Sequence, residues 1–259
     1  MKLQDRVALV TGASKGIGRA IALAFADEGA HVGITGRALD ELESLRDEIV
    51  ARGVRCALLP ADLAEPGAVD RVHGHVVQEL GPVEILVNNA GMGSSANPRP
   101  VVEYDDDFWE KLLYVNLTVP YLFCKRVLPD MLQRRHGRII NIASINGKIG
   151  SLHGAAYAAS KHGLLGLTRT LAMEVVKDGI TVNAICPGPV HTLVNDLRIA
   201  YDARRLGKTV EELEATLTPM GRRLEPEEVA PLAVYLASDD ARAMTGQAIN
   251  IDGGVLMTG

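Results

Sequence analysis

Short runs of β-branched and aliphatic residues alternate along this chain with longer stretches in which apolar positions recur every three or four residues. The short runs predict strands at "RVALVTG" (6–12), "AHVGITGR" (30–37), "VRCALLPADL" (54–63), "VEILVNNAG" (83–91), "GRIINIAS" (137–144), "GITVNAICPG" (179–188) and "GQAINIDGG" (246–254). The longer stretches predict helices at 17–29, 38–53, 66–81, about 106–135, about 154–178 and 225–238. Strict alternation of strand and helix predicts parallel strands joined by right-handed crossovers. The fold class is therefore α/β, a doubly wound parallel sheet with helices on both faces. No repeat or linker divides residues 1–259, so a single domain is expected. Residues 190–225 break the rhythm: they are charged, carry no strand pattern and follow the sixth strand. Ligands of such sheets bind outside the carboxyl ends of the strands, which makes this segment a candidate substrate lid.

Composition narrows the function. Hydrophobic residues make up 47% and charged residues 23%, the balance of a globular enzyme, and the net charge of -5 disfavours nucleic acid and anionic membranes as partners. No run approaches the roughly 20 apolar residues that span a bilayer. No leader-like apolar segment precedes the first strand, and Cys56, Cys124 and Cys186 are scattered, so a reducing, cytoplasmic location is expected. No cluster of His, Cys and carboxylates has metal-ligand spacing.

The turn "TGASKGIG" (11–18) joins the first strand to the first helix. Gly12 permits a tight turn, Gly16 and Gly18 allow close approach of a phosphate, and the helix N-terminus favours its charge. The turn resembles that of the short-chain dehydrogenase/reductase family, as do "NNAG" (88–91), Asn116, Ser144, Tyr157 with Lys161, and "PG" at 187–188. The resemblance covers about residues 5–257. It implies a Rossmann-type sheet of seven parallel strands, a nicotinamide cofactor and a homotetramer. It also places the cofactor against Gly12, Ser14, Lys15, Gly16, Ile17, Gly18, Asp62, Leu63, Asn89, Ala90 and Gly91. Pro187, Gly188, Val190 and Thr192 are implied at its nicotinamide end. The second strand ends in Gly36 and Arg37, where NAD-selective folds carry a carboxylate. A guanidinium there, with Lys15 nearby, favours the 2′-phosphate of NADP(H) over NAD(H).

In "YAASK" (157–161), Tyr157 and Lys161 lie four apart on a predicted helix and share a face. A free phenol has a pKa of about 10, and a nearby ammonium favours its ionised form. Tyr157 then serves as general acid in ketone reduction and general base in alcohol oxidation. The resemblance assigns Ser144 to the carbonyl oxygen, Asn116 to a proton-relaying water, and Lys161 to the cofactor ribose as well as the tyrosine. His153 and His191 are candidate pocket-wall residues, and His136 reads as a solvated helix end.

The region 141–188 resembles 3-oxoacyl carrier-protein reductases and polyketide ketoreductases. Arg135 matches one of two arginines that grip an acidic carrier in fatty-acid members; Asp178 stands in place of the other. The long lid looks more like those of hydroxy-acid and polyol dehydrogenases, while Gly93 stands where hydroxybutyrate enzymes carry Gln. Arg198, Arg204 and Arg205 are alternative anchors for an acidic group or solvated lid residues. The leading function is an NADP(H)-dependent ketone–alcohol oxidoreductase acting on a small carbonyl or alcohol substrate. The alternatives are a hydroxy-acid, polyol or sugar dehydrogenase, or a cofactor-sensing scaffold.

Overall fold

The computed structural model describes residues 1–257. Strands β1 (Val7–Thr11), β2 (His31–Gly36), β3 (Cys56–Pro60) and β4 (Ile85–Asn88) are separated by helices α1 (Gly16–Asp27), α2 (Leu39–Val50) and α3 (Ala68–Leu80). Helices α4 (Asp106–Leu113) and α5 (Val119–Arg134) precede β5 (Gly137–Ile142), and α6 (Ala155–Val175) precedes β6 (Ile180–Pro187). Three further helices, α7 (Leu193–Leu206), α8 (Val210–Leu217) and α9 (Pro226–Ala237), lead to β7 (Ala248–Ile251).

The seven strands form one parallel sheet in the order β3-β2-β1-β4-β5-β6-β7. Strand order reverses at β1, which pairs with β2 on one side and β4 on the other; this reversal opens the crevice in which α/β folds bind ligands. Alternate residues of each strand enter different cores. Ala8 and Val10 of β1 and Ile85 and Val87 of β4 pack beneath α1, α2 and α9. Val7 and Leu9, with Leu86, pack against α3, α5 and the end of α6. A two-residue period with both faces apolar is what a sheet covered on both sides requires.

The predicted helix over 106–135 is interrupted. Residues Tyr114–Thr118 form a π turn between α4 and α5. Pro120 follows, and a proline has no N–H, so the carbonyl of Asn116 lacks the donor that α geometry would supply four residues on. Wide turns of this kind recur at functional sites, and this one carries Asn116. His136 also departs from expectation. It is half-buried with Nε2 3.0 Å from Arg6 Nη1, and burial, then Arg138 and Arg6, hold its pKa below the usual histidine range.

Candidate active site

The β1–α1 turn is built backbone on backbone. Gly12 and Gly16 have φ of 65° and 55°, in the left-handed region open to glycine. A Cβ on Gly12 would lie 2.7 Å from Ala90 Cα, and one on Gly18 2.4 Å from Asn89 Nδ2. Asn89 Nδ2 donates to the carbonyls of Thr11 and Gly12, both at 2.9 Å. Thr11 Oγ1 accepts from the backbone N–H groups of Asn89 and Ala90 at 3.0 Å. The side chain of Asn89 therefore holds the turn in place. Helix α1 starts at Gly16 with no side-chain cap and no acidic residue in its first turn. Its first N–H groups remain available to an anion, together with the positive end of the helix dipole.

Residues around the second strand sort by their partners. Gly36 is buried against Ser14: a Cβ there would meet Ser14 Oγ at 3.2 Å. Arg37 is exposed, and among the described residues no carboxylate pairs with it. Lys15, expected beside it as a second cation, is exposed and pairs with Glu41 Oε1 of α2 at 3.0 Å. The Asp62 carboxylate accepts from the N–H of Ala64 at 2.9 Å, and Leu63 is buried beside it.

Across the crevice, Ser144 follows β5 while Tyr157 and Lys161 project from successive turns of α6. Lys161 is 5% exposed; its Nζ donates to the Ile142 carbonyl at 2.8 Å and lies 5.7 Å from the centre of the Tyr157 ring. Burial pulls the Lys161 ammonium down to about 8. Burial pushes the Tyr157 phenol up, against an opposing hydrogen bond from the Ser144 hydroxyl. The ammonium thus does not bring the phenol below its ordinary value in this arrangement. It bonds a main-chain carbonyl, and at the phenol desolvation outweighs the hydrogen bond from Ser144.

Asn116 reaches this cluster indirectly. Its side chain accepts from Met92 N at 2.7 Å and donates to Met92 O at 2.9 Å. It donates also to Ser160 Oγ at 3.2 Å, and Ser160 bonds the Tyr157 carbonyl at 2.8 Å. The side-chain amide therefore ties the segment after Gly91 to the catalytic turn of α6.

Past β6, Gly188 N bonds Ile251 O at 2.9 Å, and a Cβ on Gly188 would lie 2.8 Å from Asp252 Cα. Val190 bridges to Leu224, and Thr192 caps α7 by accepting from Asn195 N at 3.3 Å. The Thr192 methyl lies 3.1 Å from where a Gly16 Cβ would be, so the start of the 190–225 segment touches the glycine turn.

That segment folds as α7 and α8, held by contacts absent from any motif. Arg223, 8% exposed, pairs with Asp196 of α7 and Glu214 of α8. His153 Nδ1 lies 2.7 Å from the Tyr201 hydroxyl, and Arg198 Nη2 donates to Leu152 O at 2.7 Å. A Cβ on Gly93 would come within 2.2 Å of Val194 Cγ1, so a glutamine there would have to displace the Val194 side chain. His191 Nε2 stands 3.7 Å from Glu225 Oε1. Sequence reasoning missed Arg223, Tyr201 and Val194, because their roles depend on how two irregular segments meet. On another face, Arg135 pairs with Asp178 at 3.0 Å. No helix among the described residues is long and apolar enough to cross a membrane.

Residues 12–256 match the family model described as enoyl-(acyl carrier protein) reductase. The D-beta-hydroxybutyrate dehydrogenase of Rhizobium meliloti (strain 1021) is 39% identical, over 96% of this chain and 98% of its own. The 3-oxoacyl-[acyl-carrier-protein] reductase of Staphylococcus epidermidis (strain ATCC 35984) is 37% identical, over 98% of this chain and 100% of its own. A crystal structure of a variant actinorhodin polyketide ketoreductase with NADPH superposes with a TM-score of 0.91 at 38% identity, covering 98% of this chain and 99% of that one. Fold, glycine turn and the grouping of Ser144, Tyr157 and Lys161 agree with these likenesses: the chain belongs to the short-chain dehydrogenase/reductase family, oxidoreductases acting on CH–OH groups.

Proposed function

We propose that this enzyme interconverts a ketone and a secondary alcohol with NADP(H), Tyr157 exchanging a proton with the substrate oxygen. The observation that carries this reading is the meeting of Ser144, Tyr157 and Lys161 beyond the carboxyl end of β5, facing the glycine turn across the crevice. The turn fits a dinucleotide: side chains on Gly12 or Gly18 would collide with backbone, and the N-terminus of α1 is uncapped. When bound, NADP(H) supplies or accepts the hydride. Around it Ser144 orients the carbonyl oxygen, and Tyr157, neutral at physiological pH, donates the proton that oxygen gains. Lys161 holds the ribose hydroxyls and the charge near the phenol, and Asn116 fixes the segment after Gly91 against α6. Gly12, Ser14, Gly16, Ile17 and Gly18 hold the pyrophosphate side, with Arg37 on the 2′-phosphate. Asp62, Leu63, Ala90 and Gly91 lie on the adenosine side, with Pro187, Gly188, Val190 and Thr192 beside the nicotinamide. Helices α7 and α8 form the lid.

The substrate is a small carbonyl compound in preference to one presented on an acidic carrier protein. Arg135, the one basic residue at the docking position, is neutralised by Asp178, and like charge on a docking face slows encounter. The test is NADPH oxidation with a panel of small ketones and with matched 3-oxoacyl groups on a small thiol and on a carrier protein. Turnover of small ketones without a salt-sensitive advantage for the carrier-linked form is the expected result. Failure of every ketone and alcohol would remove the reaction, and a large carrier advantage would restore a fatty-acid-type role.

A homotetramer in the cytoplasm completes the proposal. Tyr121 on α5 and Met173 on α6 are 44% and 80% exposed, and Ala159 and Gly166 leave α6 flat beside them. Such a surface suits isologous pairing of α5 and α6 across a two-fold axis. The free thiols Cys56, Cys124 and Cys186 suit a reducing compartment. Light scattering is expected to give four chains; a mass of one chain at micromolar concentration refutes the assembly.

A further inference from the structure

A cavity of ≈ 380 Å³ opens between residues 95–99 and the first lid helix, α7. Arg99 and Arg204 stand on its wall with Pro98, Leu197 and Tyr201, and no acidic residue lines it. The basic run of the lid divides by partner. Arg198 and Arg205 both pair with Asp202, at 2.7 and 3.2 Å. Arg204 Nε donates only to the Ala200 carbonyl of its own helix, at 3.2 Å, and Arg99 Nε only to Asn97 Oδ1, at 2.8 Å. A guanidinium carries five N–H donors in a planar fork, so each of these two keeps most of them for a ligand.

One lining residue ties the cavity to the helix that carries the reaction centre. Tyr201 lines it and bonds His153, four residues before Tyr157. Arg198 fastens the same helix to Leu152 and to Ser94 Oγ, at 2.7 and 3.3 Å. We infer that this cavity is an oxyanion subsite, in which Arg99 and Arg204 hold a carboxylate or phosphate on the substrate whose ketone lies at Tyr157. Pro98 and Leu197 accommodate the aliphatic link between the two groups. The inference rests on the proposed ketone–alcohol reaction and names the substrate class for it: small ketones bearing a terminal oxyanion.

Two matched pairs separate the sources of that charge. One is 3-oxobutyrate against its methyl ester; the other is the 3-oxobutyryl thioester of pantetheine with and without its phosphate. With NADPH, the wild-type enzyme is expected to prefer the charged member of at least one pair by about tenfold or more in kcat/KM, through KM. In the R99Q/R204Q double variant the preference is expected to fall below about threefold, and in the wild type to weaken as salt rises. A preference absent from both pairs, or retained in the double variant, overturns the subsite. A readout independent of turnover is calorimetric binding of the two charged compounds to the Tyr157→Phe protein with NADP⁺. Binding should weaken when R99Q and R204Q are added. If no ketone is reduced at all, the proposed reaction falls. This binding measurement still decides the subsite, which fails if neither compound discriminates between the two proteins. Both arginines make only local bonds, and a melting curve matching the wild type establishes that the variants are folded.

Discussion

Tyr157→Phe is expected to lower kcat for ketone reduction by about 10²–10⁴-fold, the range a positioned general acid contributes, while leaving NADPH affinity nearly unchanged. Phenylalanine keeps the ring beside Lys161 and removes only the hydroxyl that Ser144 bonds. Lys161→Ala is expected to damage both quantities, since its ammonium is proposed to serve phenol and ribose together. The direction of the phenol's pKa adds a pH signature. Burial holds Tyr157 above the ordinary value of about 10, so the protonated donor for reduction persists through neutral pH. Alcohol oxidation needs the ionised form and rises with pH. Steady-state rates in both directions, with cofactor binding followed by fluorescence, check this. Equal losses of binding and turnover in a folded Tyr157→Phe protein would count against the assignment.

The second large effect concerns the choice of cofactor. The wild-type enzyme is expected to favour NADPH over NADH by at least about tenfold, roughly 1.4 kcal/mol, and Arg37→Ala to abolish most of that preference. Arg37 is expected to carry most of the effect, because it has no carboxylate partner among the described residues while Lys15 pairs with Glu41. Gly36→Asp is expected to reduce NADPH use by repulsion. Its gain with NADH will be smaller, because the new Cβ crowds the Ser14 side chain at 3.2–3.3 Å and Ser14 belongs to the glycine turn. Measured kcat/KM ratios for the two cofactors decide the matter. A wild-type preference for NADH would remove Arg37 from the 2′-phosphate.

Much of this was legible in the sequence because it is periodic or local. The strand runs carry a two-residue alternation that puts Val7 and Leu9 in one core and Ala8 and Val10 in the other. Tyr157 and Lys161 share a helix, and their spacing alone places them together. What sequence could not show is long-range and polar. The Asn89 amide bonds the carbonyls of Thr11 and Gly12 across the crevice. Lys15 meets Glu41, which α2 presents to it. The direction of the Tyr157 shift depended on burial, which no spacing rule reports, and the lid's order depends on Arg223 joining Asp196 to Glu214. The π turn had one local signal, Pro120, inside a strong helical pattern.

That proline divides the work of Asn116 between two chemically independent groups. The side chain is a splint between Met92 and Ser160, and any replacement of Asn116 removes it. The main-chain carbonyl, left without its α-helical donor by the imino acid at 120, belongs to whichever residue occupies position 116. Substitution at 116 therefore dissects the splint and leaves the carbonyl in place. Substitution of Pro120 by a residue with an N–H restores a competitor for that carbonyl while the amide contacts stand. The two traits are inherited at separate codons, and a lineage can lose one without the other.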